Sequence, residues 1–283
     1  MFRPKIGLAL GGGGPKGLAH IGVLKVLEKN NIPIDYIAGT SVGSLIGGMY
    51  AYSKDIASIE AHVMNKNWLQ MLSYFADPSL KGGFIEGNRM EQFLNEYLHG
   101  AEFKDTKIPY QATTVDIQSG KLVYLHSGSL SKAIRASSAV PMLFKPVELD
   151  NHLYLDGGLL SSVPVELVKK MGADIVIAVQ LNKYYDPEED LRTASIPDIG
   201  ELAFNIVGRK IADEEVKRAN FIIKPAVAHV QWSSLLKQDK KEEGIKLGEE
   251  AANKIITSIA ITVQKNKIEL ALHHWIDKIK KLF

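Results

Sequence analysis

Cysteine is absent from the chain, and with it go a disulfide framework, a thiol nucleophile and thiolate metal sites. Nor is there an excess of charge of either sign. Lys and Arg number 34 against 32 Asp and Glu, a net +2 dispersed along the sequence, so no field forms that would select a nucleic-acid partner. Long hydrophobic runs are missing too. The first apolar stretch, Ile6 to Leu10, is too short for a secretory core and ends in four glycines. Nothing later approaches the roughly 18–20 apolar residues of a membrane span. The expectation is a soluble, cytoplasmic protein, with peripheral contact to a membrane surface left open.

What is present is a chain of 283 residues, 46 % of them hydrophobic, enough for one large α/β unit with a sizeable core. Lys5 to Leu10 reads as a strand, Gly11 to Gly17 as a glycine loop, and Leu18, Ile21, Val23, Leu24 and Leu27 as one helical face. A second strand, Tyr36 to Ala38, follows Asn30-Asn31 and Pro33, giving a βαβ unit and a parallel pair. Helices are expected over 42–52, 55–65, 88–98, 131–137 and 164–171, about Leu202 to Arg218, and from Gly244 to the end. Hairpins are expected around Gln118-Ser119-Gly120 and Asp150-Asn151, and a fully buried strand over Ile175 to Leu181. The stretch 66–88 is apolar, aromatic and bounded by glycines; a satellite core cluster suits it better than a mobile lid. The polar segment from Asn182 to Pro197 marks the best boundary, so residues 5–181 form the expected core unit. Residues 182–283 form a loop and a mainly helical extension packed on it. Alternating strands and helices over the first two thirds imply an α/β fold with a parallel sheet covered on both faces.

Gly39-Thr40-Ser41-Val42-Gly43 has the spacing of a nucleophile elbow, a sharp turn that lifts a serine hydroxyl above the end of its strand. Gly39 and Gly43 are needed where strand and helix press together. The loop Gly12-Gly13-Gly14-Pro15-Lys16-Gly17 formally matches the dinucleotide fingerprint GxGxxG. The acidic residue that should end the second strand is missing, because Asp35 lies at that strand's start. A P-loop fails as well, since Gly17 stands where Ser or Thr would hold magnesium. The other use of such a loop is to hold an oxyanion on the amides of Gly12, Gly13 and Gly14, with the charge of Lys16 nearby.

A serine needs a base. Of eight histidines none has a recognisable context, although chain order would allow His229. Asp156 ends a strand-like Tyr154-Leu155 and is followed by Gly157 and Gly158, so a carboxylate base raised in pKa by burial is an alternative. Asp-Gly-Gly is by itself more often a turn.

Taken together, GGGGPKG, GTSVG and DGG, in that order, resemble the patatin-like phospholipase family, in particular its compact bacterial members. Gly17-Leu18-Ala19-His20-Ile21-Gly22-Val23-Leu24 is similar to that family's first helix, and Arg135-Ala136-Ser137-Ser138-Ala139-Val140-Pro141 to the segment before its catalytic Asp. The resemblance spans roughly Lys5 to Leu181. It implies a three-layer α/β/α sandwich on a mostly parallel sheet, with residues 5–181 as the catalytic core of a Ser-Asp acyl hydrolase acting on lipid acyl esters: Ser41 as nucleophile, Asp156 as base, the glycine loop as oxyanion hole, and no catalytic His, metal or cofactor. Lys16 stands where Arg is common, and Pro15 stiffens the loop. A non-catalytic lipid-binding or scaffolding protein on the same fold stays open, and a dinucleotide-dependent oxidoreductase is the weaker alternative. From Ile268 on, Leu272, Trp275, Ile276, Ile279, Leu282 and Phe283 share a helical face opposed by lysines. That pattern suits docking on the domain or on a partner subunit, and also a membrane surface.

Overall fold

The computed structural model describes residues 3–65, 85–181 and 196–280, without the side chains of 196–198, 201 and 270–280. Strands β1 (Ile6–Leu10), β2 (Tyr36–Gly39), β3 (Tyr110–Asp116), β4 (Lys121–Leu125), β5 (Val147–Leu149), β6 (His152–Asp156), β7 (Ile175–Val179) and β8 (Phe221–Ile223) form one sheet. They connect in the order β5-β6-β3-β2-β1-β7-β8, with β4 also paired to β3. The β3-β2-β1-β7-β8 portion is parallel throughout, and the β4, β5 and β6 pairings are antiparallel.

Alternation along the strands divides the core. Ile6, Leu8 and Leu10 of β1 and Ile175, Ile177 and Val179 of β7 join a large helical layer. That layer contains α1 (Leu18–Lys29), α2 (Val42–Ser53), α3 (Ile56–Met64), α4 (Asn88–Leu98) and α5 (Leu130–Ser137). The intervening small residues Ala9, Ala38, Val176 and Ala178 face the other side, where α6 (Val165–Lys170) and α7 (Ile196–Glu215) pack. This is the expected three-layer α/β/α sandwich on a mostly parallel sheet.

The stretch after 181 contributes to the same body. β8 pairs with β7, and α8 (Gln238–Asn253) crosses α1 at backbone contact. A methyl group added at Gly22 would lie 1.9 Å from the Ile245 carbonyl oxygen, and one at Gly248 would lie 2.0 Å from that of Ala19. The crossing therefore needs glycine on both helices. α9 (Ile256–Lys280) follows, with Ile261 and Ile268 exposed; the apolar face from Leu272 on lies outside the described side chains. Residues 66–84, which carry the lid-or-core alternative, lie outside the described residues, as do 182–195 of the expected boundary loop. Among what adjoins them, Ile85 is buried and bridges Phe144.

Two helix starts differ from the sequence reading. α7 begins at Ile196, with Pro197 in its first turn, where a missing N–H costs nothing. α8 begins at Gln238 rather than Gly244, through a charged stretch in which Lys241 is buried. Its ammonium donates to the carbonyls of Val63 (3.4 Å) and Met64 (3.3 Å) at the end of α3, satisfying acceptors that a helix terminus leaves unpaired.

Candidate active site

β2 runs into the turn Gly39-Thr40-Ser41 and straight into α2. Ser41 has φ 55° and ψ −126°, a backbone conformation that costs a non-glycine residue about 1–3 kcal/mol and persists only where its surroundings over-determine it. The constraints are visible. A methyl group on Gly39 would meet the Gly43 carbonyl oxygen at 2.5 Å, and one on Gly43 would meet that of Leu10 at 2.2 Å. The Ser41 N–H donates to Ser137 Oγ at 3.1 Å. The Thr40 hydroxyl donates to the Ser161 carbonyl at 2.9 Å, with the Thr113 hydroxyl 2.7 Å away.

The pairing of β3 explains how Asp156 reaches this turn. β4 takes one edge of β3 along Ala112–Asp116, so β2 and β6 must share the other, end to end. Gly39 of β2 lies opposite Ala112, and Asp156 of β6 lies opposite Thr114, two residues further along. The ends of two strands running in opposite directions thus meet beside one stretch of β3. Gly157, whose added methyl would lie 2.2 Å from Thr113 Oγ1, allows the close passage.

Asp156 is fully buried. Its Oδ1 accepts from the Gly158 N–H at 2.8 Å, and Oδ2 has no hydrogen-bond partner. The Ser41 hydroxyl is near enough to favour the ionised carboxyl without closing a hydrogen bond of normal geometry. Burial pushes the carboxyl pKa up to about 7, against the opposing pull of the Gly158 N–H and the Ser41 hydroxyl.

The glycine loop passes directly by the serine, since a methyl added at Gly12 would lie 3.3 Å from Ser41 Cβ. Gly17 packs against Val42 at the start of α2, with 2.0 Å left for an added methyl. The sequence reading counted Gly12, Gly13 and Gly14 as equivalent donors. The Gly12 N–H is already donated to the Ser162 carbonyl at 3.0 Å. Among the described residues the N–H groups of Gly13 and Gly14 enter no backbone hydrogen bond outside helices and strands. Lys16 does not line the cavity at Ser41; its N–H closes the loop on the Gly13 carbonyl at 3.3 Å. From beneath, buried His20 donates Nε2–H to the Gly11 carbonyl at 2.8 Å. Burial lowers the His20 pKa to about 4, so the ring is neutral.

Ser41, Asp156, Gly12, Gly13, Gly14 and Gly158 line a cavity of about 30 Å³, walled by Val140, Leu143 and Trp232 and roofed by Phe204, Asn205 and Gly208 of α7. Among the described residues no histidine lines it. His229 instead contacts Glu243 and His152 contacts Asp116, each at 3.0 Å. Asp35, weighed for a ribose contact, is held by Arg3 and by the Ile6 N–H at 2.8 Å. Among the described residues no cluster of His, Asp and Glu could hold a metal ion, and no helix is long and apolar enough to cross a membrane.

Sequence reasoning missed the cavity roof, Ser162 and Glu215. The Glu215 carboxylate accepts from the Ser161 hydroxyl and the Val163 N–H, both at 2.6 Å, and burial raises its pKa to about 7. Nothing in the local sequence marks it.

A family model described as patatin-like phospholipase matches residues 8–169. The chain is 35 % identical over 182 residues to an NTE family protein of Mycobacterium tuberculosis, covering 63 % of this chain and 49 % of that one. It is 34 % identical over 191 residues to the lysophospholipase NTE1 of Debaryomyces hansenii, covering 66 % and 12 %. Against human patatin-like phospholipase domain-containing protein 6 it is 31 % identical over 195 residues, covering 66 % and 14 %. The chain thus spans about half the length of the mycobacterial relative and less of the others. The crystal structure of VipD from Legionella pneumophila has the same fold, with a TM-score of 0.55 at 13 % identity over 91 % of this chain and 67 % of that one.

Proposed function

Because this chain belongs to the patatin-like phospholipase family, we propose that it is a serine acyl hydrolase, a phospholipase- or lysophospholipase-like esterase that cleaves lipid acyl esters with Ser41 and Asp156. The observation that carries this reading is the buried Asp156 carboxyl, with one oxygen unpartnered and its pKa raised to about 7, beside a serine held on a strained elbow. A base poised near working pH, next to a nucleophile, is what acyl transfer needs.

Asp156 takes the Ser41 proton as the oxygen attacks the ester carbonyl, and the tetrahedral oxyanion falls to the amides of Gly13 and Gly14. Each donor of this kind is worth about 3 kcal/mol of barrier. The proton then passes to the leaving alcohol. Water, deprotonated by the same carboxylate, attacks the acyl-serine and releases the fatty acid. Gly12 serves by placing the loop, and Lys16 by its charge outside the cavity. The apolar walls Val140, Leu143, Phe204 and Trp232 suit an acyl chain. A volume of about 30 Å³ holds roughly one water, so the chain enters only as the roof gives way. No step requires a metal or an organic cofactor. Residues 5–181 carry the reacting groups, 182–283 supplies the roof, and peripheral membrane contact through α9 belongs to the same proposal.

The test is to treat wild type, Ser41→Ala and Asp156→Asn with a fluorophosphonate probe and a soluble short-chain ester. Wild type should be labelled on Ser41, and both variants should lose turnover. Turnover that survives either substitution, or collapses on replacing a histidine outside the glycine-loop support, would overturn the dyad. A folded wild type that binds lipid vesicles but is neither labelled nor active would point to the non-catalytic alternative.

A further inference from the structure

We propose that Glu215, the last residue of α7, is a positioning residue: its carboxylate fixes the turn Ser161–Val163, and that turn sets where the elbow and the glycine loop stand relative to each other. The proposal rests on reading Ser41 and Asp156 as the reacting pair.

Both carboxylate oxygens are engaged. The Ser161 hydroxyl donates to Oε1 and the Val163 N–H to Oε2, each at 2.6 Å. Ser161 and Ser162 are buried, and Val163 is fully so, so the turn has no solvent to exchange these bonds with. Its other bonds run to the site. The Ser161 carbonyl accepts from the Thr40 hydroxyl, adjacent to Ser41, at 2.9 Å. The Ser162 carbonyl accepts from the Gly12 N–H at 3.0 Å. The Ser161 N–H returns to the Gly157 carbonyl, adjacent to Asp156, at 2.8 Å. One three-residue turn therefore touches the neighbours of the nucleophile, the base and the oxyanion donors, and Glu215 is the side chain that pins it.

Releasing that pin lets the three parts drift against one another, and a misplacement of about 1 Å can cost on the order of 100-fold in rate. The expected signature is a fall in kcat with KM little changed, because no group that touches substrate is removed. A purely structural anchor for α7 would instead lower the melting temperature and leave kcat of the folded enzyme alone.

The full chain carrying Glu215→Ala, Glu215→Gln or Ser161→Ala is assayed with p-nitrophenyl butyrate and for its rate of fluorophosphonate labelling, at a temperature where melting curves show each variant folded. Glu215→Ala should lose about tenfold or more in kcat and labelling rate with KM within about threefold. Glu215→Gln should stay within about threefold of wild type, since its amide oxygen can accept from Val163 and its amide nitrogen can donate to Ser161 Oγ. Wild-type kcat in folded Glu215→Ala overturns the proposal, and so does Gln failing as badly as Ala. If Glu215→Ala does not fold, Ser161→Ala decides: a loss of about threefold or more in kcat supports the pin, and unchanged kcat removes it. Wild type that is neither labelled nor active would instead count against the reading of Ser41.

Discussion

Replacing Asp156 by Asn should make the protein more stable as it makes it inactive, and by an amount that depends on pH. The wild-type carboxyl ionises near pH 7 in the fold and near 3.8 in the open chain. Below 3.8 it is neutral in both states and its burial costs nothing on this account. Between 3.8 and 7 the unfolded chain alone ionises, so native stability falls steadily as pH rises. Above 7 the loss levels off at about 4 kcal/mol. Asn does not titrate. It keeps an oxygen for the Gly158 N–H and presents an amide N–H toward Ser41 Oγ.

From pH 5 to pH 8 the stability gap between Asp156→Asn and wild type should therefore widen by about 2–3 kcal/mol. For a chain of this size that is on the order of 3–5 °C in Tm. The assay is a set of melting curves for both proteins at each pH, with reversibility checked by rescanning. Glu215, whose pKa burial also raises to about 7, is common to both chains and cancels in the difference. A gap that is flat across this range would refute the reasoning, because the carboxyl would then be ionising at its ordinary value. Ser41→Ala serves as the control: it is equally inactive but keeps the buried carboxyl, so it should follow the wild-type pH slope.

Three further outcomes are expected. With a soluble ester, kcat/KM should rise about tenfold per pH unit below 7 and level off above it, because in the proposed mechanism the carboxylate form of Asp156 is the base; a profile flat from pH 5 to 8 would count against that role. Phe204→Ala removes a ring from the cavity roof and should raise activity toward long-chain relative to short-chain esters by severalfold, read as the ratio of their kcat/KM values; an unchanged ratio would take Phe204 off the acyl path. Gly248→Ala forces a methyl group to within 2.0 Å of the Ala19 carbonyl oxygen and should destabilise the fold by about 1–3 kcal/mol, seen as a fall in Tm and in the denaturation midpoint.

The elbow was legible because its chemistry is local. Gly39 and Gly43 flank Ser41 for steric reasons that five residues of sequence already contain, and the distances to Gly43 and Leu10 express those same reasons. The layers were legible because β1 and β7 are short, wholly buried and joined to helices of the right period. α7 was harder to read. It roofs the site with Phe204 while Ile206 and Val207 point to solvent, so no single apolar face announces its start or its role. Glu215 could not be read at all, because its partners Ser161 and Val163 lie some fifty residues away on another segment. The three glycines of the loop look alike in sequence; only the position of Ser162 takes Gly12 out of the donor set.

The convergence of Ser41 with Asp156 lies between these cases. Each residue has a local signal, but what joins them is the division of β3 between two neighbours on one edge: β2 occupies its first half and β6 arrives from the opposite direction on its second. Because side chains alternate along a strand, slipping β6 by one residue would turn Asp156 to the opposite face of the sheet. The register is therefore as much a part of the site as the carboxyl itself. The Asp156 N–H bond to the Ala139 carbonyl at 2.9 Å and the bond from the Thr114 hydroxyl to the Leu155 carbonyl at 2.7 Å hold that register within one residue of the carboxyl. Nearby, the Thr40 and Thr113 hydroxyls tie the elbow to the same strand. A strained serine and a buried acid both raise the energy of the native state, and they can persist together because β3 is the common support to which both are fastened.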